Sequence, residues 1–303
     1  MALLEVNLPT AAATTTGVFE TGKFSVGVKD TVCSPKPLRI VSPTESGKYP
    51  VLLFLHGTAL SNVFYTQLLT HIASHGFICV APQLPFGEEI CCAALVTNWF
   101  SEGLKSVIPG EAQPNLQKLA LVGHSRGGKA AFALALGLAP TSLAFSVLIG
   151  LDPVAGKCKG CECPPKILTY QPRSFNLGIP VMVIGTGLGE KRKIKLFCPC
   201  APPQVSHQEF YDESKHPRYH MVTADYGHMD MLDDNCKGIL GTLSSSLCKS
   251  GDGDKDLMRR CVGGIIVAFM REYLEVSTGD LKGILDAPEI APVKLDPVEY
   301  DEA

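Results

Sequence analysis

The segment Lys118 to Gly128, KLALVGHSRGG, constrains this chain more than any other. Its centre is a G-x-S-x-G. An apolar run of β type enters Gly123, and an alanine- and leucine-rich helical run, Lys129 to Ala139, leaves Gly128. A serine on the turn between a buried strand and a helix is the context in which this motif presents a nucleophile, because the flanking glycines let strand and helix approach while the hydroxyl projects from the sheet. The backbone N–H of Arg126 then lies at a helix amino terminus, ready to receive an oxyanion.

The rest of the chain reads as what such a turn needs. Val51 to Leu55, Phe77 to Ala81, Phe145 to Gly150, Pro180 to Gly185 and Tyr219 to Thr223 are short apolar runs of buried-strand length, and helical periodicity alternates with them. That alternation predicts an α/β domain with a mostly parallel central sheet and helices on both faces. Phe19 to Lys29 and Leu38 to Val41 read as leading antiparallel strands, Pro43 to Pro50 as a turn-rich connector, and Asn62 as the cap of a helix ending at Gly76. Ile90 to Val107 and Leu257 to Val276 are the other long helical stretches.

At 303 residues and 46% hydrophobic composition, one domain from residue 18 to 303 is the simplest count, preceded by a small, hydroxylated tail over residues 1–17. The tail carries Glu5 and no Arg, which fits a solvated segment better than a transit peptide. A net charge of −3 without a basic block excludes a nucleic-acid footprint, and no segment is long and uncharged enough to span a membrane.

Cys158, Cys161 and Cys163 form C-x-x-C-x-C, and Cys198 and Cys200 form C-x-C. Two such groups on neighbouring loops would supply zinc thiolates, but the spacing is not the paired C-x-x-C of structural zinc sites, so free thiols or local disulfides are the expectation, and no metal or cofactor is assigned. Cys248 and Cys261 flank a polar turn, Lys249 to Asp256, and could close it as a disulfide. Asp252, Asp254 and Asp256 lack the glycine and distal glutamate of a calcium loop.

A serine needs an imidazole to take its proton and an acid to hold that imidazole. His228, in the loop Asp225 to Asp230 beyond the last predicted strand, is the candidate base; His220 reads as packed in a strand, and His207 and His216 belong to a polar segment. Two acids compete. Asp152 follows the strand ending at Gly150 and is stiffened by Pro153, whereas Glu190 follows the strand ending at Gly185 among three glycines and three cations. Thr58, after the strand that runs into His56-Gly57, is the candidate partner of Arg126 in an oxyanion hole. The proline-stiffened loop with Leu84, Pro85 and Phe86 lies at the same sheet edge and is a candidate wall for an apolar substrate slot.

Five stretches together carry a family resemblance: Phe54 to Thr58, Ile72 to Phe77, Gly123 to Gly128, Gly150 to Gly156 and Asp225 to Asp230. The chain resembles the chlorophyllases, plant chlorophyll esterases of the α/β-hydrolase superfamily. The resemblance implies an α/β-hydrolase fold, hydrolysis of the phytyl ester of chlorophyll to chlorophyllide and phytol, and Ser125, Asp152 and His228 as the triad. It also implies chlorophyll and related phytylated pigments as partners, peripheral contact with a pigment-bearing membrane, and the chloroplast as compartment, with the cytosol or another membrane-associated compartment as the alternative. Residue chemistry alone reaches a serine esterase with an apolar site; a pigment- or lipid-binding protein with little turnover and a general lipase or carboxylesterase stand beside it.

Overall fold

The computed structural model describes residues 17–194, 197–236, 247–276 and 279–302. Among the described residues nine strands form a single sheet: β1 (Val26–Thr31), β2 (Leu38–Pro43), β3 (Gly47–Leu55), β4 (Ile78–Pro82), β5 (Ala112–His124), β6 (Val147–Leu151), β7 (Val181–Thr186), β8 (Arg218–Thr223) and β9 (Leu295–Asp301). Their spatial order is β1-β2-β4-β3-β5-β6-β7-β8-β9. The six strands from β4 to β8 run parallel; β1 and β2 at one edge and β9 at the other pair antiparallel. This is the mostly parallel sheet expected from the alternating runs, in the α/β-hydrolase arrangement that the resemblance implies.

Side-chain alternation along each strand divides the core in two. Leu52 and Phe54, Ala120 and Val122, and Ile149 and Leu151 face the helices Thr66–Ser74 and Lys255–Leu274. Val51, Leu53 and Leu55, with Leu119, Leu121 and Leu148, face Glu89–Trp99, Arg126–Ala135 and His207–Glu213. Both faces of the parallel strands are therefore dry, which is why these strands read as unbroken apolar runs instead of alternating ones.

Several boundaries differ from the sequence reading. The connector expected at Pro43 to Pro50 already pairs as β3 from Gly47 onward, with an irregular register at Pro50, a residue with no N–H to give the ladder. Asn62 does not cap a helix: it sits in a 3₁₀ turn, Asn62–Tyr65, and its side chain donates to the Ala81 carbonyl at 2.7 Å, fastening this turn to β4. The helix expected at Ile90 to Val107 is α-helical over Glu89–Trp99 and widens to a π turn at Phe100–Leu104. Strand β9 went unforeseen, since its sequence LDPVEYD is dominated by solvent-facing charge and only Leu295 is buried. Residues 1–16 of the expected tail lie outside the described residues; Gly17 opens a short 3₁₀ turn whose Val18 and Phe19 are buried against the helix Lys255–Leu274.

The cysteine pairing differs as well. Cys248 is bonded to Cys200, and Cys261 is a buried free thiol on the inner face of the helix Lys255–Leu274, turned into the core. The residues between Cys248 and the helix instead supply its cap, with Asp254 accepting the N–H of Asp256 at 2.8 Å.

Close approach of strand and helix at the elbow leaves no room for side chains. A Cβ on Gly127 would lie 2.2 Å from the Leu55 carbonyl oxygen, and one on Gly123 would lie 2.2 Å from that of Gly127. Because the obstacle is backbone, Gly127→Ala should cost about 2–3 kcal/mol, the upper part of the usual overpacking range. A thermal melt should show a midpoint lowered by about 5 °C or more; an unchanged midpoint would mean that the elbow packs more loosely than this geometry.

Candidate active site

Register along the parallel strands brings the predicted residues to one edge. β5 ends at His124, so Ser125 emerges as the first residue past the sheet and occupies φ 57°, ψ −125°, a conformation L-residues seldom adopt. The strained turn is fixed from both sides: the Ser125 N–H donates to the Leu151 carbonyl at 2.9 Å, and the Ser125 carbonyl accepts from Val154 at 3.0 Å. β6 ends one position before Asp152, also at positive φ, whose own amide donates to Ile184 at 2.6 Å. His228 follows β8 on a short loop that Asp230 ties together by accepting the N–H groups of Gly227 and Gly251 at 2.7 and 2.8 Å.

These three residues form one hydrogen-bonded line. Ser125 Oγ lies 2.9 Å from His228 Nε2, and His228 Nδ1 lies 2.7 Å from Asp152 Oδ2. Asp152 is completely buried, and Thr186 Oγ1 donates to the same Oδ2 at 2.5 Å. Burial pushes the Asp152 carboxyl up, but the hydrogen bond and charge of His228, the charge of His207 and the Thr186 hydroxyl outweigh it and hold the group below its usual value. An ionised acid on Nδ1 leaves Nε2 free to accept the serine proton, which is the chemistry of an activated hydroxyl.

Glu190 is not part of this line. Its side chain is exposed and accepts from Ser206 Oγ at 3.3 Å, beside the capping box through which Ser206 and Glu209 start the helix His207–Glu213. His220 is buried, as its strand position suggested, and bridges His207 and Glu299 at 2.9 and 2.8 Å.

A cavity of about 590 Å³ opens over Ser125 and His228. Thr58 and Arg126 line it, and no acceptor among the described residues takes their backbone N–H groups. Its apolar wall includes Leu60, Phe86, Val154, Met229 and Leu247. Of the three loop residues proposed for the slot, Phe86 alone reaches the wall, where the Arg126 guanidinium stacks 4.1 Å from its ring centroid while bonding Glu89 at 2.6 Å. Leu84 is turned into the core, its N–H donating to His56 Nε2 at 2.9 Å, and Pro85 is exposed. Proline stiffening at this loop therefore serves to hold Phe86 rather than to place three side chains in the cavity.

The cysteine segments also meet here. Cys163, Cys198, Cys200 and Cys248 border the cavity, and the Cys200–Cys248 bond joins two of its walls. Among the described residues no three His, Cys, Asp or Glu side chains gather as a metal site. Sequence reasoning missed two groups. Thr186 was invisible because only the pairing of β6 with β7 sets it beside Asp152. His124 stood inside the elbow motif, where its neighbour Ser125 drew the attention.

The chlorophyllase family model matches residues 11–302. Chlorophyllase-1 of Arabidopsis thaliana is 47% identical, aligned over 100% of this chain and 98% of its own length. Chlorophyllase-2 of Arabidopsis thaliana is 48% identical over 88% of this chain and 86% of its own. Chlorophyllase-1, chloroplastic, of Citrus unshiu is 44% identical over 95% and 88%.

The geometry separates the two candidate acids by experiment. Asp152→Asn should retain the shape of the site but favour the wrong imidazole tautomer, lowering ester turnover by up to roughly ten-thousandfold. Glu190→Gln should change it by only about a few-fold, as for a screened surface charge. The reverse ranking, measured on folded protein with one ester, would remove Asp152 from the site.

Proposed function

The chain belongs to the chlorophyllase family, and from that membership we propose that it hydrolyses the phytyl ester of chlorophyll with Ser125, His228 and Asp152 as its catalytic triad. The observation that carries the reading is the line Ser125 Oγ to His228 Nε2 to Asp152 Oδ2, at 2.9 and 2.7 Å, on the floor of a largely apolar cavity. A protein that only held pigment would gain nothing from an ionised carboxylate at complete burial, a costly placement that a catalytic imidazole justifies.

In this reading Ser125 Oγ attacks the ester carbonyl of the pigment's propionate while His228 Nε2 takes the hydroxyl proton. The negative charge that develops on the carbonyl oxygen is received by the N–H groups of Thr58 and Arg126, the latter at the amino end of the helix Arg126–Ala135. Collapse of the tetrahedral intermediate breaks the bond to phytol, and His228 returns its proton to the leaving oxygen. Water, deprotonated by the same imidazole, then attacks the acyl-serine; chlorophyllide leaves as the acid and Ser125 recovers its proton.

Phe86 serves as the wall for the isoprenoid chain. Leu247 in the cavity lining is exposed, as is Phe197, the chain neighbour of the lining residue Cys198, and Ile194 and Lys191 are exposed on the same segment of chain. An apolar rim with adjacent positive charge suits seating on a lipid surface from which a phytylated pigment is drawn. No helix among the described residues is long and apolar enough to cross a membrane, so the contact proposed is peripheral. The chloroplast is the compartment this reading implies, in keeping with the Citrus relatives named chloroplastic.

Ser125→Ala should lower phytyl-ester hydrolysis on the order of a thousandfold or more while pigment binding and the melting midpoint stay near wild type. Near-normal turnover in that variant would overturn the triad. The apolar surfaces are tested by a second comparison. Phe86→Ala should lose more turnover on the phytyl ester than on a short soluble ester, whereas Phe197→Asp should weaken co-sedimentation with pigment-loaded vesicles. Equal losses on both esters for Phe86→Ala, or unchanged sedimentation for Phe197→Asp, would remove those roles.

A further inference from the structure

The histidine inside the elbow motif has no place in the proton transfers above, yet it is fully buried and makes hydrogen bonds through both ring nitrogens. His124 Nε2 lies 3.0 Å from the backbone carbonyl oxygen of His228. A carbonyl only accepts, so Nε2 carries the proton and Nδ1 presents a lone pair. Tyr65 Oη donates to that lone pair at 2.7 Å and itself accepts the Gly57 N–H at 3.1 Å. Gly57 immediately precedes Thr58. One continuous chain of bonds thus runs from the backbone of the oxyanion loop through Tyr65 and His124 to the backbone of the base.

We infer that His124 is a positioning residue for the hydrolysis, one that holds the His228 backbone and the Gly57–Thr58 loop in register with each other through its fixed Nε2–H tautomer. The inference rests on the triad reading. His228 sits on a loop, not in a strand, and its imidazole must remain between Ser125 Oγ and Asp152 Oδ2. The loop is anchored on one side by Asp230 and on the other by the His124 bond to the His228 carbonyl. The two imidazoles also pack together, with ring centroids 4.6 Å apart and planes tilted 38°. Space is equally tight at the other end of the chain of bonds: a Cβ on Gly57 would lie 3.1 Å from Ser125 Cβ and 3.2 Å from His124 Nδ1.

Charge matters as much as shape. Burial, followed by the neighbouring charge of His228, pushes His124 down to about 3, so this imidazole stays neutral around neutral pH. A second cation against the ring that must become imidazolium would oppose proton abstraction. Tyr65 reinforces the neutral form, since a proton on Nδ1 would take away the lone pair that accepts the Tyr65 hydroxyl proton.

Two substitutions separate positioning from packing. His124→Gln places an amide N–H near the position of Nε2–H and keeps a donor for the His228 carbonyl; His124→Asn is too short to reach it. With a short soluble ester, His124→Asn should lose on the order of a hundredfold in kcat with KM within about two-fold, the scale expected when a catalytic group moves by about an ångström. His124→Gln should recover most of that loss. The low-field proton resonance of the His228–Asp152 hydrogen bond should persist in His124→Gln and broaden or vanish in His124→Asn. Tyr65→Phe, which removes only the hydroxyl and keeps the packing, provides a variant in case His124→Asn fails to fold; its kcat should fall about tenfold through the unanchored tautomer and Gly57 amide. Near-wild-type kcat in folded His124→Asn, or losses in the Asn and Gln variants that simply track their melting points, would overturn the inference. Failure of the triad reading itself is distinguishable, because it would show as turnover surviving Ser125→Ala whatever the His124 variants do.

Discussion

An ionised carboxylate at complete burial is the constraint from which the rest of this site follows. Taking Asp152 out of water would drive its proton back on unless donors and positive potential met it there, and His228 and Thr186 both bond the same oxygen. The donors come from different elements, the end of β7 and the loop after β8, so Oδ2 receives both of its bonds only when β6, β7 and β8 lie side by side in register. The chemistry of the site and the pairing of three parallel strands are therefore one condition.

The elbow imposes the complementary demand. Ser125 adopts a strained backbone, and such strain persists only where the surroundings over-determine it. Gly123 lets the β5 backbone, and Gly127 the end of β3, close against the helix to distances that exclude even a methyl group, while the bonds from Ser125 to Leu151 and Val154 hold the turn against the end of β6 and the loop beyond it. The helix that leaves the turn starts at Arg126 in the cavity lining, so the geometry that strains the serine also supplies half of the proposed oxyanion site.

Around this rigid floor the cavity walls are loops, and each is fastened individually. Leu84 is drawn inward by His56, leaving Phe86 outermost against the Arg126–Glu89 pair; Cys200 and Cys248 join two further walls covalently; Asp230 and His124 fix the His228 loop. A site that handles a large apolar ester needs an open, adaptable rim over a floor whose reacting atoms do not move, and the division between loop and sheet-edge residues meets both needs.

Much of this was legible in the chain. The strand-turn-helix context of Gly123 to Gly128 and the long apolar runs of β3 to β8 follow from local rules: glycine where backbones meet, and unbroken apolar stretches where both sheet faces are covered. Asp152 could be preferred over Glu190 from local stiffness, because a proline after a strand and a glycine-rich charged loop differ already as sequence. What the sequence did not determine was every feature that depends on which segments meet in space. Cys248 paired with Cys200 and not with the nearer Cys261 because the helix turns Cys261 inward. Strand β9 formed from a charged segment because backbone pairing to β8, and not side-chain hydrophobicity, places it. Leu84 and Phe86, two positions apart, part company because one of them lies under the loop. The bond from His124 to the His228 carbonyl spans 104 residues, and no periodicity or motif encodes such a contact; tertiary packing of β5 against the loop after β8 decides it.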